Sequence, residues 1–194
     1  VSGVSNAGGL GSFGFAYSPP QVIHHDLSCA QALTRGPINA NFFIFQNVSL
    51  PDLKTIKIAI EPLYKLAPDI DFGIPVPPFF PDLEAQLEPV WQLRPAVLTF
   101  HFGIPPEWVM QRARALNIAI GITATGIEEA LRIEQAGANF IVAQGIEAGG
   151  HRGTFEVQGT DGGLSTFDLL RQLVKRCTIP AVAAGGIMDG RDIR

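Results

Sequence analysis

The sequence predicts an α/β protein built on a parallel β-sheet, and three observations carry that expectation. Of its 194 residues, 46% are hydrophobic and 16% charged, with 21 glycines, a composition suited to a large interior and many tight turns. Residues 118–140 read as strand, helix and strand in close succession, a unit that has to cross over right-handed above a parallel sheet. Phe140-Ile141-Val142-Ala143 is a short apolar run with a β-branched centre, as expected of a strand covered on both faces.

Taken in order, residues 4–12 read as the end of a helix, a glycine C-cap at Gly8-Gly9 and then a strand carrying Leu10. Ser18-Pro19-Pro20 opens a helix, because proline suits the first turn, and Gly36-Pro37 closes the unit. Residues 37–45 form the next strand. Between 61 and 81 stand Pro62, Pro68, Pro75, Pro77, Pro78 and Pro81, so closely spaced that a long loop is expected in place of a long helix or central strand. Phe79 and Phe80 in that loop have two readings: an apolar cover for a small substrate, or packing against a neighbouring helix or subunit.

A short helix over 82–93 leads to a strand over 95–103. Pro105-Pro106-Glu107 starts a helix with Val109, Ala113 and Leu116 on one face, followed by a strand over 118–122. Thr125 and Glu128 have the spacing of a capping box before Ile127, Ala130, Leu131 and Ala136 line one face, and Gly137 ends that helix. Ser165 is placed to cap a helix whose apolar residues are Phe167, Leu170 and Val174, and residues 179–184 form the last strand. The Gly185-Gly186 pair beyond it is expected to precede a helix N-terminus, where free amides bind phosphate.

The net charge of −4 and the absence of a lysine or arginine cluster argue against nucleic acid or an acidic membrane surface and favour a small-molecule ligand. Cys29 and Cys177 lie far apart without metal-ligand spacing, so no metal site is expected and both read as reduced, structural thiols of an intracellular, cytoplasmic protein. No apolar run of about 18 residues and no signal pattern is present, so neither a membrane span nor secretion is expected.

The chemistry concentrates in residues 142–153, VAQGIEAGGHRG, where a buried strand runs into a glycine turn bearing a histidine. Gly149 and Gly150 let the backbone approach a flat or anionic ligand, and His151 supplies an imidazole, a side chain suited to moving a proton. Read alone, Gly149-Gly150-His151 also fits a plain turn with a solvated histidine. The stretch resembles the AQGxEAGGHRG signature of nitronate monooxygenases, flavin enzymes on a (β/α)8 TIM barrel. Residues 4–12 resemble that family's AAVSNAGGLGS segment, residues 37–45 its third strand, 100–103 its SFHFG segment, and 184–191 its second glycine motif.

The resemblance implies a single domain over residues 1–194 that is an incomplete TIM barrel, about strands two to seven. It implies FMN as cofactor, held by Asn41, Gln144, Gly149, Gly150, Gly185 and Gly186. It also implies that His151 is the base removing the α-proton of a neutral nitroalkane. The substrates implied are a nitronate or nitroalkane and O2, the products a carbonyl compound and nitrite, with a homodimer as the admitted assembly. Asn41 can equally close a turn at a strand end. His101 is expected to frame the pocket through a hydrogen bond, and Arg152 either balances an anionic substrate or the flavin, or forms a surface ion pair. Glu147 has no expected role.

Two alternatives follow from the same residues. One is an FMN-dependent enoyl-thioester reductase using NAD(P)H, which has a similar glycine-histidine loop. The other is a truncated, non-catalytic barrel that leaves strand edges open and does not retain flavin.

Overall fold

The computed structural model describes residues 1–46, 51–70, 73, 77–156 and 158–193. Six strands form one sheet in the order of the chain, β1 (Gly11–Gly14), β2 (Ile38–Phe43), β3 (Val97–His101), β4 (Ala119–Ala124), β5 (Phe140–Gln144) and β6 (Ala181–Ala184). Every adjacent pair is parallel. Helices fill the crossovers: α1 (Ser2–Asn6), α2 (Pro20–Leu33), α3 (Leu53–Leu66), α4 (Leu83–Leu93), α5 (Glu107–Ala115), α6 (Ile127–Gln135) and α7 (Thr166–Arg176). Sequential parallel order with helical crossovers is the order of consecutive units of a (β/α)8 barrel, here incomplete among the described residues.

The registers sort strand residues onto two faces. Ala40, Phe42, Leu98, Phe100, Ile120, Ile122, Ile141 and Ala143 point outward and are almost wholly buried against Ile23, Leu27, Val90, Val109, Ile133 and Leu173 of the helices. The opposite, concave face carries Ser12, Asn39, Asn41, Thr99, His101, Thr123 and Gln144, aligned across strands by the pairings Ser12 with Asn39, Asn41 with Thr99, and Phe43 with His101. An apolar outer row and a polar inner row make the inner row the place for a site.

Local expectations hold where the residue has one geometric solution. Gly8 takes φ +87° after α1, closing the helix with its N–H on the Ser5 carbonyl and that of Gly9 on Val4. Pro20 occupies the first turn of α2, and Ser165 caps α7 by accepting from the Asp168 N–H.

Four expectations are corrected. The segment 61–81 is not all loop: α3 runs through Pro62 to Leu66. Its Asp52 cap and long amphipathic run outweigh the one hydrogen bond that proline forfeits. Residues 71, 72 and 74–76 of that segment, with Pro75 among them, lie outside the described residues. The carboxylate that reaches back before α6 is Glu129, not Glu128, because Gly126 is the N-cap and Glu129 the third helical residue; it accepts from the Thr125 N–H and hydroxyl. On α7 the buried residues are Thr166, Leu169 and Leu173, while Phe167 and Val174 are exposed. No helix begins after Gly186 among the described residues, where 190–193 make a turn.

Cys29 is an exposed free thiol on α2, and Cys177 a half-buried one beyond α7. Among the described residues no helix is long and apolar enough to cross a membrane.

Candidate active site

The concave face ends, at the C-terminal edge of the strands, in the loop after β5. Gln144 closes that strand, and its side chain clamps the loop: Nε2 donates to the His151 carbonyl (2.9 Å) and Oε1 accepts from the Gly153 N–H (2.7 Å). His101, at the end of β3, reaches the same carbonyl with Nε2 (3.2 Å) and meets the Thr123 hydroxyl with Nδ1 (3.0 Å). A carbonyl only accepts, so Nε2 carries the hydrogen and Nδ1 accepts from Thr123. Burial holds the His101 pKa below its ordinary value, against the bond to the His151 carbonyl, which raises it. Gly153 lets the loop lie this close, since a Cβ there would stand 2.6 Å from His101 Cε1.

The His151 side chain projects from this clamped backbone. Its ring lies 5.9 Å from both Phe43 and Phe102 in edge-on contact, and it makes no hydrogen bond to any described residue. A fixed main chain thus presents an exposed, unpaired imidazole above aromatic walls.

Arg152 does not point at open space. Nε and Nη2 hold Asp161 in a two-bond ion pair (2.7 and 2.9 Å), and Nη1 donates to the Gln144 carbonyl. The guanidinium bonds draw the Asp161 pKa down to about 2. Of the two readings of Arg152, the ion pair is the one formed. Glu147, without an expected role, accepts from the Thr166 N–H and hydroxyl (2.9 and 3.1 Å), anchoring the start of α7. Glu129 fastens the far side of the loop by accepting from the Phe155 N–H (2.8 Å).

The two glycine turns come together, because β5 and β6 are neighbours. Gly185 has φ +115° and Gly186 φ +73°, and a Cβ on Gly185 would stand 2.6 Å from the Ala148 nitrogen. Gly150 also has positive φ (+77°), and the space beside Gly149 and Gly150 is open. The Asp192 carboxylate takes the amides of Met188 and Asp189, which corrects the expectation of a free helix end there. The amides of Gly149, Gly150, Gly186 and Ile187 have no partner among the described residues.

Asn41 lies deeper, its Nδ2 donating to Thr99 Oγ1 (2.8 Å). Asn39, which sequence reasoning missed, donates to the same Thr99 oxygen (2.9 Å), and its own buried Oδ1 lacks a partner among the described residues. The signal for it was present: asparagines at i and i+2 of an apolar strand share a face. An orphaned acceptor on the concave face and four open amides at its rim suit a flat, hydrogen-bonding ligand with an anionic end, and FMN fits that description. Asn41 and the glycine turns are on the surface that would receive it, whereas Gln144 has spent one hydrogen and one lone pair on the loop.

The nitronate monooxygenase family profile matches residues 1–194. The chain is 38% identical over 201 residues to the nitronate monooxygenase of Paraburkholderia phytofirmans, covering 100% of this chain and 54% of that one. It is 38% identical over 205 residues to that of Pseudomonas aeruginosa, covering 100% and 56%. Among solved structures, nitroalkane oxidase from Streptomyces ansochromogenes superposes with a TM-score of 0.86 at 34% identity, over 99% of this chain and 55% of that one. FabK from Thermotoga maritima shares the fold, with a TM-score of 0.69 at 23% identity, over 99% and 48%. The chain thus spans about half the length of the curated relatives it matches. A profile matched along the whole chain, on a sheet that carries the glycine-histidine loop at its C-terminal edge, settles the relationship: the chain belongs to the nitronate monooxygenase family.

Proposed function

We propose that this chain forms the base-bearing and flavin-binding part of a cytoplasmic enzyme. It oxidises alkyl nitronates, and nitroalkanes once deprotonated, with O2 to a carbonyl compound and nitrite. The observation that carries the reading is the His151 imidazole, without a hydrogen-bond partner among the described residues, on a backbone fixed by Gln144 and His101. FMN, when bound, supplies the electron transfer between substrate and O2. The chain does the rest: His151 takes the α-proton of a neutral nitroalkane, with the rings of Phe43 and Phe102 against its imidazole. The backbone at Gly149, Gly150, Gly185 and Gly186 holds the cofactor together with Asn41, while Gln144 and His101 keep the base from swinging away.

His151→Asn tests the assignment. A nitronate has already lost its α-proton, so its oxidation is expected to survive, whereas activity on the neutral nitroalkane falls by about 10²-fold or more. Equal losses on both substrates assign His151 to binding instead. Rapid reduction of the flavin by NADH or NADPH, with none by a nitronate, would replace this reading with the enoyl-thioester reductase.

A further inference from the structure

Thr166, the first residue of α7, is 2% exposed and stands where the two glycine turns meet. Its N–H donates to a Glu147 carboxylate oxygen (2.9 Å), and its hydroxyl shares one hydrogen between that oxygen (3.1 Å) and the Gly185 carbonyl (2.9 Å). Glu147 lies two residues before Gly149, and Gly185 directly precedes Gly186. One buried side chain thus ties the loop after β5 to the turn after β6, beside the open amides of each. The fit is close: a Cβ on Gly145 would stand 2.2 Å from Thr166 Oγ1, and one on Gly186 3.1 Å from Glu147 Cβ. The bond from the Gly145 N–H to the Ala184 carbonyl (3.0 Å) joins the strand ends, and Thr166 carries the connection past them into the turns.

The start of α7 competes little for a ligand anion. The Thr166 amide is taken by Glu147 and the Asp168 amide by Ser165 Oγ (3.1 Å). The same bonds set the Glu147 charge against the positive end of α7, which offsets it close to the glycine turns. An anionic group arriving at this edge of the sheet meets the amides of Gly149, Gly150, Gly186 and Ile187, which have no partner among the described residues. Amides from two separate turns hold one anion well only when their spacing is fixed beforehand, because each bond depends on distance and direction.

We infer that Thr166 is a positioning residue for an anionic ligand group, the phosphate of FMN: by holding Glu147 and Gly185 together it sets the spacing of the open amides in the two turns, and with it the preference for the phosphorylated flavin over riboflavin. The inference rests on the flavin-binding reading.

FMN, riboflavin and inorganic phosphate are each titrated into the unaltered protein, Thr166→Val and Thr166→Ser, with the fold checked by circular dichroism. Valine keeps the shape and the N–H to Glu147 and removes the hydroxyl. The unaltered protein is expected to bind FMN about tenfold or more tighter than riboflavin, as charge-assisted bonds to phosphate imply. Thr166→Val lowers that ratio about tenfold with riboflavin affinity unchanged, and Thr166→Ser restores most of it. Hydrogen exchange gives a readout without flavin: phosphate is expected to slow exchange at residues 149–150 and 186–187 in the unaltered and serine proteins, and not in Thr166→Val. An unchanged FMN-to-riboflavin ratio, or equal weakening of both flavins, overturns the positioning role. If neither flavin binds but phosphate protects both turns through Thr166, the flavin reading falls and the positioned anion site stands. Protection that is indifferent to Thr166, or none at all, overturns the inference.

Discussion

His101 and Asp161 fix the reactive loop from opposite ends, and both do so through a protonation state. Burial keeps the folded His101 pKa below the ordinary 6.5, so between those two values the unfolded chain binds more protons than the folded one. The contribution of His101 to stability is therefore fully present above about pH 6.5 and is lost as the pH falls through the folded value. Asp161 follows the same sign lower down: with its pKa drawn from 3.8 to about 2 by Arg152, its contribution is present above the ordinary value and lost on approach to pH 2. Both members of that pair are partly exposed, so screening limits it to about 0–1 kcal/mol. The first window is the measurable one. A proton NMR titration is expected to place the His101 midpoint below 6.5, with amide exchange at residues 151–153 accelerating over the same range before global unfolding. A midpoint at or above 6.5 would mean that the ring is not buried, since burial is what lowers it.

At the scale of elements, β4 and β5 are matched through one contact inside the concave face. A Cβ on Gly121 would stand 2.2 Å from two ring carbons of Phe140, the residue paired with it across the strands. Gly121→Ala is therefore expected to destabilise the protein by about 1–3 kcal/mol in urea unfolding, since the Phe140 ring has to move to admit the new methyl. In a Phe140→Ala background the same change costs well under half as much, and equal costs in both backgrounds would place the strain elsewhere. The strands were legible in the sequence because short β-branched runs such as 140–143 have only one comfortable environment. The face of α7 was not: residues 167, 170 and 174 and residues 166, 169 and 173 both fit a helical stripe. The choice was made by Thr166, whose hydroxyl docks on the Gly185 carbonyl (2.9 Å) and on Glu147. Those partners lie 19 residues away in the chain, beyond any local pattern. The site shows the same division. His151 and the glycine turns could be read from their motif, but the work of Gln144, Glu147 and Glu129 in pinning the loop is tertiary and left no local trace.

For the whole molecule, the sheet order grades stability from the middle outward. β3 and β4 each have two strand partners and nearly wholly buried outer rows, with Leu98, Phe100, Ile120 and Ile122 no more than 2% exposed. β6 pairs with β5 alone among the described residues, and its Val182 is 49% exposed. Local opening free energies follow buried contacts and paired backbone, so amide exchange is expected to be slowest in β3 and β4 and fastest in β1 and β6. The Gly185–Gly186 turn hangs on the end of β6, which puts one of the two proposed cofactor contacts on the least protected strand. A ligand that bridges the loop after β5 and the turn after β6 favours the paired state by its differential affinity for it. Adding FMN is therefore expected to slow exchange at residues 145–151 and 181–187 while leaving β3 unchanged, read by hydrogen-exchange mass spectrometry with and without the nucleotide. Protection confined to other segments would move the cofactor away from the paired glycine turns. The absence of any change at a saturating FMN concentration would mean that these 194 residues do not retain it.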